Sequence, residues 1–334
     1  MTLVYFYQLI LALLGLVLLI KGADFFVESA SAIAKKLQIP EFIIGFTIIA
    51  LGTSLPEFGS NIYSSAIGHD DFIVGNIIGS NLFNLLAVLG ICSLMFRVYI
   101  SPRTLFIDWT FSLILSVLLM ILIYGFALTS NQSGFLSRAD GLVLIFLFIG
   151  FYIYIIRTSK KDLPVENEKF SAKSNTWNIL SLIGGLAALL LGSKLAVDGL
   201  KDLSGLIGIS QHTTAVILLA GGTSLPELST AYAAFKNNKG NMAVGSIIGS
   251  NIINIGLILG ISVLIHPTIV LKEYFNDLSF LIVGTTLPLI VLIFMYASQK
   301  KTGKLPYISI ALGTVMMVLF LTFLYSNINE FLGL

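Results

Sequence analysis

Charged residues are scarce in this chain: Asp, Glu, Lys and Arg together make up 11% of 334 residues. Soluble domains carry about 25%, so an ordinary water-facing surface is excluded. The net charge of +2 comes with no basic cluster interleaved with aromatics, which excludes a nucleic-acid surface. Cysteine is almost missing. Cys92, in the apolar run LGICSLM, stands alone and can form no internal disulfide; it reads as a small buried apolar residue. The three histidines, His69, His212 and His266, all fall at the ends of apolar segments. The first apolar segment has neither a basic leader nor a small-residue cleavage site, so it reads as a retained helix.

What is present is hydrocarbon. Hydrophobic residues reach 56% and the mean hydropathy is +0.95. Ten segments are long enough to cross a bilayer, which takes about 20 apolar residues. They run Leu3–Ile20, Phe42–Ala66, Phe72–Phe96, Leu105–Leu128, Gly141–Ile156, Ile179–Leu200, Thr213–Phe235, Met242–Ile265, Leu278–Tyr296 and Ile308–Tyr325. Lipid offers the backbone no hydrogen-bond partner, so these segments are expected to be helices. The expected fold class is an all-α integral membrane protein of ten transmembrane helices.

Placing the connecting segments alternately on two sides puts fourteen of the nineteen Lys and Arg residues on one side. Only Arg138, Lys201 and Lys272 fall on the other, and Lys21 and Lys194 lie within spans. Positive residues favour the cytoplasmic side. Both termini are therefore expected outside, and the Thr158–Thr176 linker in the cytoplasm. The triplet Asn131-Gln132-Ser133 on the expected outer side carries little weight.

The chain is also written twice. Residues Leu51–Gly90 and Gly221–Gly260 align at a constant offset of 170 without a gap, with sixteen of forty positions identical. Such a repeat is an internal duplication. Five spans fall in each half, so the second half is expected to enter the membrane upside down relative to the first, with substrate at the midplane where the halves meet. The divisions are residues 1–157, a cytoplasmic linker at 158–176, and residues 177–334.

Two motifs recur in both halves. GTSLPE places Glu57 and Glu227 inside apolar helices, where a carboxylate costs about 2.5–3.5 kcal/mol on insertion scales. Pairing with Lys21 or Lys194 is the plainer explanation, but it leaves the surrounding groups unexplained. Pro56 and Pro226 have no N–H, so the carbonyls of Gly52 and Gly222 lose their helical partners. Thr53 and Glu57 are four residues apart and share a helical face, with Ser54 beside them. One break thus offers a carboxylate, two hydroxyls and free carbonyls. In GNIIGSNLFN and GSIIGSNIIN, Ser80 and Asn84, and Ser250 and Asn254, are likewise four apart. Gly75 with Gly79, and Gly245 with Gly249, form surfaces suited to close helix packing, to which Asn81 and Asn251 are expected to contribute. The summed donor set is all oxygen, which suits hard cations such as Ca²⁺. Without Cys or His it argues against softer transition metals.

GTSLPE followed by GxxxGSNxxN, in both halves of a ten-span chain, resembles the calcium/cation antiporter superfamily, and within it the compact microbial sodium/calcium exchangers. The resemblance implies exchange of Ca²⁺ for Na⁺ at a midplane site between inverted five-helix halves. Glu57 and Glu227 would bind Ca²⁺ and take part in Na⁺ binding. Thr53, Ser54, Thr223, Ser224, Ser80 and Ser250 would add hydroxyls, Ala50 and Ala220 carbonyls, and Asn84 and Asn254 would line the centre. The first and sixth helices would slide to expose the site to each side in turn. Asn254 stands where several relatives, including potassium-dependent exchangers, carry aspartate; this weakens a potassium-dependent reading. A proton-coupled antiporter is the nearest rival. An intramembrane enzyme lacks a base in the motif and a GxSxG sequence, and a channel suits two occluded carboxylates poorly. The chain is expected to be a monomer in the cell membrane, with Ca²⁺ and Na⁺ as substrates, the bilayer as partner, and no cofactor. Asp24, Glu28 and Asp198 remain without an assigned role beyond topology or gating.

Overall fold

The structure, a computed structural model, describes residues 2–37, 39–68, 70–125, 133–159, 175–206, 221–272, 274–299 and 303–332. Eleven helical elements order these residues: α1 (Thr2–Lys36), α2 (Glu41–Thr53), α3 (Leu55–Ile67), α4 (Asp70–Met95), α5 (Thr104–Tyr124), α6 (Arg138–Ser159), α7 (Asn175–Leu206), α8 (Leu225–Lys236), α9 (Gly240–Ile265), α10 (Tyr274–Gln299) and α11 (Ile310–Leu332). Among the described residues eight helices are long and apolar enough to span a membrane, or nine when the bent pair α2–α3 counts as one. The expected span Thr213–Phe235 lies partly outside the described residues, as does most of the 158–176 linker.

Two expected boundaries are corrected. The first span does not stop at Ile20 but belongs to a helix running to Lys36, and the sixth belongs to a helix from Asn175 to Leu206. Lys21 and Lys194 are exposed on these helices. Long charged side chains there reach out along the helix surface, so the charge does not end the helix.

The helices are not uniform. π-helical turns interrupt them at Gly45–Ile49 in α2, Phe83–Val88 in α4, Thr104–Trp109 in α5 and Asn254–Leu259 in α9. Such turns widen a helix locally and often mark functional positions. The turns in α4 and α9 sit at repeat-equivalent places. Helices α4 and α9 are also the innermost: 89% and 83% of their spanning windows are buried, against 22–39% for the other spans. The repeated GSNxxN motif therefore lies on the two central helices.

The halves are fastened to each other by short strands. β1 (Val98–Tyr99) pairs antiparallel with β4 (Tyr307–Ile308), and β2 (Gly134–Leu136) with β3 (Thr268–Val270). Val98 and Thr268 are related by the same offset of 170. Each half thus lends one strand to each pair.

Close helix contacts use glycine where a side chain would strike backbone. A Cβ on Gly22 would lie 2.5 Å from the Leu189 backbone nitrogen, and one on Gly185 would lie 2.7 Å from that of Phe26. Gly192 meets the Leu19 backbone in the same way. Helices α1 and α7 therefore pack backbone to backbone, as small residues allow in lipid. Gly15 and Gly22 recur as Gly185 and Gly192 at the offset of 170, an extension of the repeat beyond its forty-residue core. The expected surface on α9 is also seen: Cβ atoms on Gly245 and Gly249 would fall 2.7 and 2.8 Å from the carbonyls of Phe42 and Phe46.

Adjacent glycines supply a controlled test. Gly185→Ala should destabilise the protein by about 1–3 kcal/mol, the usual overpacking cost. Gly184→Ala, whose Cβ would meet nothing within 4 Å, should leave stability unchanged. Thermal unfolding of the two variants in detergent measures the difference.

Candidate functional site

The break in the first motif falls at Ser54, whose backbone (φ −82°, ψ 7°) leaves helical geometry between α2 and α3. Pro56 sits in the first turn of α3, where its missing N–H is harmless, and the axis bends by 47°. Ser224 (φ −94°, ψ 9°) stands in the same way before Pro226 and α8. Local chemistry explains both breaks: a proline four residues on denies the preceding turn a donor, and glycine at Gly52 and Gly222 eases the departure.

The two breaks face each other. Ser54 Oγ donates to Glu227 Oε1 at 3.2 Å, and Ser224 Oγ donates to Glu57 Oε1 at 3.0 Å. Each glutamate also takes a hydroxyl from the central helix of its own half: Ser80 Oγ to Glu57 at 3.3 Å, Ser250 Oγ to Glu227 at 3.4 Å. Thr53 lies beside the Glu227 carboxyl and Thr223 beside that of Glu57. Both glutamates are shut off from solvent, at 0% and 1% exposure. Their partners are hydroxyls, while Lys21 and Lys194 face outward.

This corrects the expectation that Thr53, Ser54 and Glu57 act as one cluster on a helical face. The i, i+4 relation requires an unbroken helix, and the chain bends between them. The hydroxyls of each GTSLPE motif are instead traded to the opposite glutamate. A second expectation is also modified. The Gly222 carbonyl, freed by Pro226, accepts a hydrogen bond from Ser193 Oγ on α7 at 3.2 Å. At the offset of 170 its counterpart is Ala23, which has no hydroxyl to give. The Ala50 carbonyl accepts the Ser54 N–H at 3.0 Å, Thr53 Oγ1 at 3.3 Å and Ser250 Oγ at 3.5 Å. Ala220 lies outside the described residues.

Beside the glutamates, the asparagines of α4 and α9 interlock. Asn81 Nδ2 donates to the Asn251 carbonyl and Asn251 Nδ2 to the Asn81 carbonyl, both at 3.2 Å. This is the packing role expected of them. Asn254 Nδ2 donates to Asn81 Oδ1 at 3.0 Å, whereas both amide atoms of Asn84 are buried without a partner. The site is therefore asymmetric even where its sequence is repeated. Four further buried oxygens have no hydrogen-bond partner: Glu57 Oε2, Glu227 Oε2, Asn254 Oδ1 and Asn251 Oδ1. Together with Asn84 Oδ1 these are acceptors without donors, and a buried polar atom left so is costly. An oxygen-seeking cation is the partner such a set fits, since it needs acceptors and supplies charge.

Sequence reasoning missed Asn61 and Asn76. Asn76 Nδ2 donates to Asn61 Oδ1 at 2.6 Å, Asn61 Nδ2 to the Ile73 carbonyl at 3.0 Å, and Thr223 Oγ1 to Asn76 Oδ1 at 3.5 Å. This chain of amides braces α3 against α4 and reaches the opposite motif. Its signal in the sequence is an asparagine inside an apolar run, but the repeat equivalents are Ala231 and Ser246, so matching the halves passed over it. Of the unassigned acids, Asp24 on α1 pairs with Lys236 Nζ at 4.0 Å, while the Asp198 side chain lies outside the described residues.

The asparagine pair yields an asymmetric expectation. Asn81→Ala removes a donor and an acceptor in use, Asn251→Ala only a donor. Each should cost about 1–3 kcal/mol through the stranded partners, with Asn81→Ala the larger loss; thermal melts in ion-free detergent buffer rank them.

Comparison with known proteins adds an independent line. The profile of the family described as sodium/calcium exchanger protein matches residues 7–157 and again 177–329. The sodium/calcium exchanger MaX1 of Methanosarcina acetivorans is 32% identical over 295 residues, covering 77% of this chain and 83% of its own length. The uncharacterised membrane protein MJ0091 of Methanocaldococcus jannaschii is 34% identical over 293 residues, covering 87% of this chain and 90% of that protein. A solved structure of the sodium-calcium exchanger NCX_Mj, soaked with 10 mM Na⁺ and zero Ca²⁺, superposes with a TM-score of 0.77 at 29% identity. That match covers 95% of this chain and 98% of the exchanger.

Proposed function

The chain belongs to the sodium/calcium exchanger protein family, a family of membrane transporters rather than enzymes, and from that premise we propose that it exchanges Ca²⁺ for Na⁺ by alternating access. The observation that carries the reading is the pair of wholly buried glutamates, each bound by the serine of the opposite half and each keeping one oxygen without a partner. Two like charges in a water-poor interior repel strongly. A divalent cation between them offsets both charges, and Na⁺, a hard cation of similar size, accepts the same oxygens.

The ligand set of this reading is Glu57 and Glu227, the hydroxyls of Thr53, Ser54, Thr223, Ser224, Ser80 and Ser250, the amides of Asn84 and Asn254, and the carbonyls of Ala50 and Ala220. The convergence of the glutamates and the serines of both motifs between α2–α3, α4, α8 and α9 supports it. No cofactor enters the cycle.

Ten spans arranged as inverted halves, residues 1–157 and 177–334 joined by a cytoplasmic linker at 158–176, belong to the same proposal. The strand pairs favour it: strands that pair must share a membrane face, and alternation of ten spans puts β1 with β4 on one side and β2 with β3 on the other. The distribution of Lys and Arg then places both termini outside a cell membrane. The pair α1 and α7 is suited to move as one piece over the breaks, because close backbone packing at Gly22, Gly185 and Gly192 joins the two helices to each other. A monomer suffices, since both carboxylates come from one chain.

Reconstituted vesicles loaded with Na⁺ should take up Ca²⁺ when Na⁺ is absent outside, and K⁺ should not be required. Uptake driven by a pH gradient alone, with no response to Na⁺, would show a proton-coupled antiporter instead. Glu57→Gln and Glu227→Gln should each reduce uptake to background while the protein still elutes as a folded species; full counter-transport by either variant removes the assignment.

A further inference from the structure

The amides of Asn61 and Asn76 form a chain whose direction is fixed from one end. The Ile73 backbone carbonyl can only accept, so Asn61 must present its nitrogen there, and Asn61 Nδ2 donates to it at 3.0 Å. Asn61 Oδ1 is thereby turned toward Asn76, whose Nδ2 donates to it at 2.6 Å and to Ser60 Oγ at 3.3 Å. Ser60 Oγ in turn donates to the Glu57 backbone carbonyl at 3.1 Å. Both hydrogens of the Asn76 amide are thus in use, which leaves its oxygen facing the other way. Asn76 Oδ1 faces Thr223, whose Oγ1 donates to it at 3.5 Å. Flipping either amide would set two acceptors against each other. Asn61 and Asn76 are 0% and 1% exposed, so the order of donors is set by protein groups.

Thr223 has one proton to give and two acceptors within reach. One is Asn76 Oδ1; the other is the Glu57 carboxyl beside it. A cation at Glu57 forces the choice, because it binds oxygen lone pairs and repels the hydroxyl hydrogen. The proton must then leave the side of the glutamate, and Asn76 Oδ1 is the acceptor placed to take it. The other half solves the same problem differently. Thr53, beside Glu227, donates to the Ala50 carbonyl of its own helix at 3.3 Å. The positions matching Asn61 and Asn76 hold Ala231 and Ser246, and the buried Ser246 hydroxyl has no hydrogen-bond partner. A fold that stands without the amide chain in one half does not require it in the other.

We propose that Asn76, held by Asn61, is a positioning residue for the bound cation. It takes the Thr223 proton and so turns that hydroxyl from a donor to Glu57 into a ligand with its oxygen toward the ion. The inference rests on the exchange reading, since it needs a cation at the glutamates. It also makes the two threonines unequal: Thr53 is oriented by its own backbone, Thr223 by a side chain of the opposite half.

Calorimetric titration of purified protein with Ca²⁺ tests this without a transport step. Asn76→Ala should weaken Ca²⁺ binding severalfold. Asn61→Ala should weaken it less, because Asn76 keeps its oxygen and loses only its anchor. Should Asn76→Ala not fold, Asn76→Ser installs the residue that the other half already carries; its side chain is one bond shorter, and it should show the same loss. The deciding comparison uses two backgrounds. In Thr223→Val, which has no hydroxyl to orient, Asn76→Ala should cause no further loss; in Thr223→Ser, which keeps one, the loss should persist. Vesicle uptake should show a raised KM for Ca²⁺ with a maximal rate close to that of the wild type. Equal losses from Asn76→Ala with and without the Thr223 hydroxyl would mark a brace acting on the fold and overturn the proposal. Ca²⁺ binding by Asn76→Ala indistinguishable from the wild type overturns this inference alone. A wild type that binds neither Ca²⁺ nor Na⁺ removes the exchange reading along with it.

Discussion

The crossed bonds between Ser54 and Glu227, and between Ser224 and Glu57, are the interaction on which the centre of this protein depends. A carboxylate deep in a membrane protein must be met by donors. Here each glutamate is met partly by the other half of the chain, so neither half can complete its own site. The duplication thereby becomes an obligate partnership. The interlocked Asn81 and Asn251 repeat the arrangement on the central helices, and the strand pairs repeat it at the periphery.

The symmetry is incomplete, and the departures are informative. Asn254 is tied to Asn81 while Asn84 is not tied at all. Ser193 occupies the Gly222 carbonyl, whereas its counterpart is Ala23. The bracing amides Asn61 and Asn76 face Ala231 and Ser246 across the repeat. The two copies therefore match at the glutamates and differ in how the polar groups around them are tied.

Legibility followed the repeat. The glutamates, the hydroxyls beside them and the glycine surface on α9 stood out because the same letters return at an offset of 170. The glycines joining α1 to α7 obey that offset too, but they lie outside the forty residues where identity is dense. Asn61, Asn76 and Ser193 were not legible by this route because they have no matching partner. Their signal was a polar residue in an apolar run, which is common enough in membrane helices to pass for interhelical packing.

The sequence by itself determined that the chain lives in lipid, that it is duplicated, and which carboxylates and oxygens are concentrated in the copies. Composition, spacing and backbone chemistry suffice for that, because lipid imposes helices and proline imposes breaks. Only the tertiary structure decided which hydroxyl serves which glutamate. Spacing arithmetic assumes a continuous helix, and the bend at Ser54 redirects the side chains before it toward the opposite half. Which buried oxygens keep no partner was decided in the same way, since satisfaction of a polar atom depends on what other helices bring to it.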